Sequence, residues 1–222
     1  MSEIELKPVG TRILTAKDNI VDIIVKYAEQ NIGPDDVVTV AESVVAITQG
    51  RITRPEDLKV SFLARILCRF IPQEGSLSSC YGMQSAMDAE GQLRILFALL
   101  LGMVAKLFGK NGVFYQLAGE QAPLVDDVTG TMPPFDKCLV YGPFDPNGVA
   151  AEIKRRLGCY GAAVADVNDL KRAAVLGVSA GLDPQKLAHI LIDNPFGNAS
   201  QRTPIVIIKN YAQAERRAEE QA

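Results

Sequence analysis

Few residues in this chain are equipped for chemistry, and most of those that are carry carboxylates. Asp166 closes an apolar run, Gly161-Ala162-Ala163-Val164-Ala165, where a strand-end acid is placed to hold a divalent cation at a sheet edge. Glu120 follows Ala118-Gly119 in a polar stretch, with Asp126 and Asp127 close behind. Hard cations such as Mg²⁺ or Mn²⁺ take oxygen ligands of this type and often share them with nucleotide phosphates. Loop carboxylates also serve as caps or solvated groups, so the spacing alone leaves both readings open. His189 is the sole histidine and lies among Leu187, Ile190 and Leu191, the setting of a packed or surface side chain. The four cysteines (Cys68, Cys80, Cys138, Cys159) have no C-x-x-C spacing, which with a single histidine argues against a zinc site. There is no G-x-x-x-x-G-K-[ST] phosphate loop and no G-x-G-x-x-G turn, and no residue is assigned as a catalytic group.

Composition narrows the class. The 222 residues are 48% hydrophobic and 22% charged with a net charge of −3, which excludes disordered and fibrous chains and gives no nucleic-acid footprint. The one basic cluster, Lys154-Arg155-Arg156, reads as a solvated helix face. Met1 to Pro8 has no apolar signal core, so a cytoplasmic location with reduced thiols is expected. The apolar run Ile95–Ala105 is about half the ~20 residues a bilayer requires. No membrane partner is expected, and the segment reads as a fully buried helix of the core or of a subunit interface.

The elements that must position these groups follow from local signals. Apolar spacing predicts a helix over Asp18–Asn31 with Asp18 as N-cap, then a strand at Val37–Ala41. A helix from Pro55 to Phe70 is expected to turn Phe62, Leu63, Ile66, Leu67 and Phe70 inward. Residues 72–92 read as an ordered loop with a short helix, Leu93–Phe108 as the buried helix, and Gly112–Leu117 as a strand. Cys138–Tyr141 is a short strand, and Asp145-Pro146-Asn147-Gly148 caps a helix to Leu157. Asp183-Pro184 starts another helix, and Pro204–Lys209 forms the last strand. No long linker divides the chain, which reads as one domain over 1–222, with two subdomains dividing near 70–140.

Several collinear stretches resemble the γ-glutamyl ligases that add glutamate to the deazaflavin coenzyme F-420 precursor (CofE-like). Ala41-Glu42-Ser43-Val44-Val45-Ala46-Ile47-Thr48-Gln49-Gly50-Arg51 aligns without gaps with a family segment of the form A-Q-K-V-V-S-K-A-E-G-R. Phe114–Gly119 resembles the approach to the family's N-A-G-[IV]-D loop, and Asp145-Pro146-Asn147 its D-P-D helix start. Ala163–Asp166 resembles the strand ending at S-D-T, and Val175–Gly181 its V-A-I-G-V-A-G. Asn194-Pro195-Phe196-Gly197 with Thr203 resembles D-P-Y-G…T.

The resemblance implies an α+β fold with a mixed sheet, an intertwined homodimer, and GTP-dependent amide-bond formation with Mg²⁺ or Mn²⁺. It implies a metal site at Asp166, Glu120 and Gln121, and nucleotide contacts at Arg51 and Asn194. A small-molecule substrate and a nucleotide are the implied partners. The polar positions depart from the family: Ser43 and Ile47 stand for its lysines, Gln121 for its loop acid, Val167 for its threonine and Asn194 for its last aspartate. A second reading therefore stands beside the ligase, a non-catalytic homologue that binds or regulates.

Overall fold

A computed structural model describes residues 4–73, 75–125, 133–197 and 201–220. The chain divides into two units, residues 1–50 with 143–222, and residues 51–142. The first unit opens with β1 (Glu5–Val9), α1 (Ile20–Ala28), β2 (Val37–Ala41) and α2 (Glu42–Thr48). The second unit holds β3 (Ile52–Thr53), α3 (Phe62–Leu67), α4 (Cys80–Glu90), α5 (Gln92–Leu107), α6 (Val113–Ala118) and β4 (Leu139–Val140). The chain then returns to the first unit with α7 (Pro146–Leu157), β5 (Gly161–Asn168), β6 (Arg172–Val178), α8 (Pro184–Ile190), β7 (Ile205–Lys209) and α9 (Tyr211–Glu220).

In the first unit a five-stranded mixed sheet has the order β1-β7-β2-β5-β6, with only β2 and β5 parallel. Strand alternation sends successive residues to opposite faces. Val38, Val40, Ala162, Val164, Ile205 and Ile207 pack with α1, α2 and α7 on one side. Val37, Ala163, Val206 and Ile208 pack with Leu187, Leu191, Phe196 and Tyr211 on the other. The β-branched runs read as strands because both faces of the central strands are buried. Thr39, buried among them, keeps its hydroxyl satisfied by donating to the Val206 carbonyl at 3.1 Å.

Two polar devices hold this sheet. The Asp36 carboxylate, 2% exposed, pairs with Lys209 Nζ at 2.5 Å and accepts the backbone N–H groups of Gly33 and Asn210. At the other edge, Gly177 of β6 lets the start of α7 lie against the strand. A Cβ there would sit 2.4 Å from the Pro146 carbonyl carbon, and Asn147 Oδ1 accepts the Val178 N–H at 2.9 Å.

The N-cap of α1 is Asn19, not Asp18: Asn19 Oδ1 accepts from Val21 and Asp22. Asp18 is drawn out of the capping position by Arg12 and by the Thr15 N–H, which hold its carboxyl well below the usual carboxylate range.

The second unit differs more from the sequence-based expectation. Residues 55–70 are not one helix. Pro55–Asp57 is a single 3-10 turn, and α3 starts afresh where Ser61 Oγ accepts the Ala64 N–H at 3.1 Å. Ala64 and Leu67 of α3 and Cys68 just after it are buried, and Leu63 packs partly buried against the same core, while Phe62, Ile66 and Phe70 are exposed. Residues 80–90, expected mostly as loop, form the central helix α4 with Met83, Ala86 and Met87 buried. Residues 113–118 form α6 rather than a strand, because Phe114 and Ala118, four apart, pack together into the helical core. Gly102 of α5 allows that approach, since a Cβ on it would meet Phe114 Cβ at 3.0 Å. Helix α5 is not fully buried either. Only Ile95, Ala98 and Leu99 are buried, with Leu96 and Gly102 partly so beside them, and its apolar residues exceed what one packed stripe can cover. Among the described residues no helix is long and apolar enough to cross a membrane.

Candidate functional site

In the second unit, Arg51 stands immediately before β3. Its Nε donates to the Gly142 carbonyl at 2.5 Å and its Nη2 to Gln121 Oε1 at 2.6 Å, while the Tyr141 N–H donates to the Arg51 carbonyl. Gln121 is held in turn by Glu90, whose Oε1 accepts the Gln121 N–H at 2.6 Å. Glu90 Oε2 pairs with Arg94 at 2.9 Å, and Arg94 Nε donates to the Leu117 carbonyl. The loop after α6 is thus closed over a nearly buried carboxylate. It closes that tightly because residue 119 is glycine: its φ of +109° and ψ of 173° lie in a region open essentially to glycine alone. A Cβ there would also fall 2.0 Å from Glu90 Oε2.

The network aims a fixed guanidinium. With Nε and Nη2 engaged, no described residue accepts from Nη1, which leaves one donor edge for an anionic ligand such as a phosphate or carboxylate. Beside β3 a groove of about 390 Å³ is lined in part by Ile52, Thr53, Arg54, Phe135 and Cys138. Glu120, next to Gln121, is exposed.

The remaining sequence-derived positions lie in the first unit. Asp166 is not at a strand end: β5 continues to Asn168, and Asp166 sits opposite Ala174 in the β5–β6 hairpin. The pairing with β6 extends the strand past the point where the apolar run stops. Desolvation by the surrounding protein raises the Asp166 pKa, although the residue is exposed to solvent, and that exposure limits the size of the effect. Asn194 has a φ of +51° and donates from Nδ2 to Asp169 Oδ1 at 2.6 Å, while its Oδ1 is buried without a partner among the described residues. An aspartate at that position would face Asp169 with like charge, so the neutral amide suits its neighbour. His189 is exposed on α8, and Lys154, Arg155 and Arg156 lie along α7, where Arg155 pairs with Glu152 and Arg156 with Asp22.

The arrangement does not by itself make a cation site. Among the described residues no three Asp, Glu, His or Cys side chains come close enough to share a metal ion. Gln121, moreover, directs its side-chain oxygen at Arg51. Asp126 and Asp127 lie outside the described residues. The described donors do not fit a resident Mg²⁺ or Mn²⁺, and no step below runs through one.

Gly177-Val178-Ser179-Ala180-Gly181 has the G-x-S-x-G spacing of a nucleophile elbow and stands between a strand and a helix. Ser179 is only 1% exposed and its Oγ accepts the Ala162 N–H at 3.0 Å, so the hydroxyl joins β5 to the end of β6 and meets no base among the described residues. Burial likewise pushes the Cys68 and Cys159 thiols up, away from the thiolate a nucleophile needs.

A family model described as F420-0:Gamma-glutamyl ligase matches residues 8–167. The chain belongs to that family. The match spans all of the second unit and the first unit as far as β5, so it includes Arg51, Glu120, Gln121 and Asp166. Asn194 lies beyond it, as do the F420-0:gamma-glutamyl ligase-like motifs of β6 and of residues 194–203. No curated protein matches the chain. The mixed α+β architecture agrees with membership of the ligase family.

Proposed function

We propose that this protein is a divergent γ-glutamyl ligase-like enzyme that joins an amine to a small carboxylate or phosphate-linked substrate at the expense of GTP. Family membership over most of the chain supports the reaction class, and the geometry that supports it best is the clamped Arg51 guanidinium. In such a reaction a substrate carboxylate oxygen attacks the γ-phosphorus, and the nucleoside diphosphate leaves. The amine nitrogen then attacks the acyl carbon, phosphate leaves, and the amine proton passes to solvent. Arg51, held by Gly142 and Gln121, would bear on the phosphate as negative charge shifts between its oxygens. A divalent cation carried in with the nucleotide and the homodimer of the family belong to the same reading.

The second reading is a family member that binds such an anionic ligand without turning it over. The neutral Gln121, bonded to Arg51 where the family carries an acid, favours it.

Calorimetry with GTP, with and without Mn²⁺, tests the first reading. Arg51→Ala is expected to weaken nucleotide binding at least about tenfold, the scale of one lost charge-assisted contact. No nucleotide binding at millimolar GTP overturns the ligase reading. Binding without amide formation from glutamate and the deazaflavin precursor selects the second.

Asp166→Asn separates function from stability. A carboxyl whose folded pKa is raised costs the fold stability above that pKa, and the cost disappears as pH falls below the ordinary carboxylate value. At pH 7 the asparagine variant is therefore expected to melt no lower than the parent, so that any change in its GTP binding reads function alone. A clear fall in melting temperature would instead make Asp166 a structural residue.

A further inference from the structure

The α5–α6 hairpin of the second unit ends in a tip that is apolar and cationic at once. Lys106-Leu107-Phe108-Gly109-Lys110-Asn111-Gly112 is exposed throughout, Leu107 at 85% and Phe108 at 79%. Met103 and Val104, one turn back on the Leu107 face, are exposed as well. Residues 91–118 hold Arg94, Lys106 and Lys110 and no Asp or Glu, within a chain whose net charge is −3. Arg94 is paired with Glu90, and Asp88 accepts from Gln84. Among the described residues no acid pairs with Lys106 or Lys110. The backbone of the tip is satisfied from within. Gly109, at a φ of +74°, turns the chain so that its N–H donates to the Lys106 carbonyl and the Lys110 N–H to the Ala105 carbonyl, each at 3.0 Å. Closing the helix in this way meets the condition for placing backbone in an apolar medium.

We propose that this tip docks the protein on an anionic lipid bilayer, with Leu107 and Phe108 entering the boundary between headgroups and acyl chains and Lys106 and Lys110 meeting lipid phosphates. The proposal does not depend on the ligase reading. Two lysines that bracket two large apolar side chains suit such a boundary, because each ammonium can reach the phosphates while its stem lies along the apolar layer. The helix rests on the membrane and does not cross it. An insertion of about 5–10 Å takes little more than the last turn of α5, so the shortness of its apolar run is no obstacle. Charge and shape favour lipid over a protein partner. The unpaired cations call for an anionic surface, and a bilayer accepts a projecting tip, whereas a stable protein interface takes ~800 Å² from each side.

Co-sedimentation of the full chain with vesicles of mixed phosphatidylglycerol and phosphatidylcholine, and with vesicles of phosphatidylcholine alone, tests this at low salt and millimolar lipid. Binding to the anionic vesicles is expected, falling as salt rises. Leu107→Glu should weaken it at least about tenfold, and Lys106→Gln and Lys110→Gln about fivefold each. Leu170→Glu, at an exposed apolar residue of the first unit, should leave it unchanged. The chain has no tryptophan, so Phe108→Trp sets a sole indole at the tip, whose emission should move to the blue only when anionic vesicles are added. Circular dichroism checks the fold of each variant, and if Leu107→Glu disturbs it, the indole carries the test. Absence of binding to the anionic vesicles overturns the proposal. Binding that the lysine variants weaken and Leu107→Glu does not is adsorption without insertion, and overturns it too. An indole already blue-shifted without lipid, and reddening on dilution, would show the tip covered by another protein copy, which also overturns it.

Discussion

Asp36→Ala is expected to lower the melting temperature by roughly 10 °C, from a stability loss of about 3–5 kcal/mol. The carboxylate is 2% exposed, and three groups depend on it: Lys209 Nζ at 2.5 Å, the Gly33 N–H at 2.6 Å and the Asn210 N–H at 2.9 Å. Removing it leaves the Lys209 ammonium with the neutral Asn31 carbonyl in place of a carboxylate and takes the shared acceptor from the Gly33 and Asn210 N–H groups. Such a loss is a large part of the ~5–15 kcal/mol that holds an ordinary domain. Asp36→Asn should fall between the two, keeping an acceptor but no charge. Lys209→Met should cost less than Asp36→Ala, since Lys209 is 27% exposed at its side chain and the carboxylate keeps its two amide donors. Thermal melts followed by circular dichroism order the three variants; an Asp36→Ala protein melting within 2 °C of the parent would refute the assigned role.

Gly119→Ala is expected to dismantle the Arg51 clamp. Two costs combine there. The φ of +109° with ψ of 173° strains any side chain by about 1–3 kcal/mol, and the new methyl overlaps Glu90 Oε2. Relief requires either the loop or the carboxylate to move. Either movement breaks the bond from Gln121 N–H to Glu90 and, through Gln121, the contact to Arg51 Nη2. The variant should therefore lose Arg51-dependent ligand affinity to about the level of Arg51→Ala while the first unit stays folded. Glu90→Gln, which keeps the shape and one acceptor, should retain more affinity than Gly119→Ala. Equal affinity of Gly119→Ala and the parent chain would show that the clamp is not what positions the guanidinium.

What the sequence determined by itself is the local frame. Strands at 37–41 and 205–209 were legible because buried β-branched runs in a sheet core need no partner information to be recognised. Asp145 and Asp183 announced α7 and α8, because a capping carboxylate acts on N–H groups two or three residues away. The collinear motifs carried the family, since they record the backbone path more than any one side chain. Tertiary structure alone decided which groups meet. Arg51, Glu90, Gln121 and Gly142 come together from four separated stretches, and no local rule links a helix-end glutamate to a glycine 29 residues later. The same limit misplaced α6 and the inner face of α3, where short apolar runs fit helix and strand alike until their neighbours choose. Asp166 shows both sides. Its carboxylate was marked by sequence, but its setting within a hairpin rather than at a strand end came from β6, which only the folded sheet lays beside it.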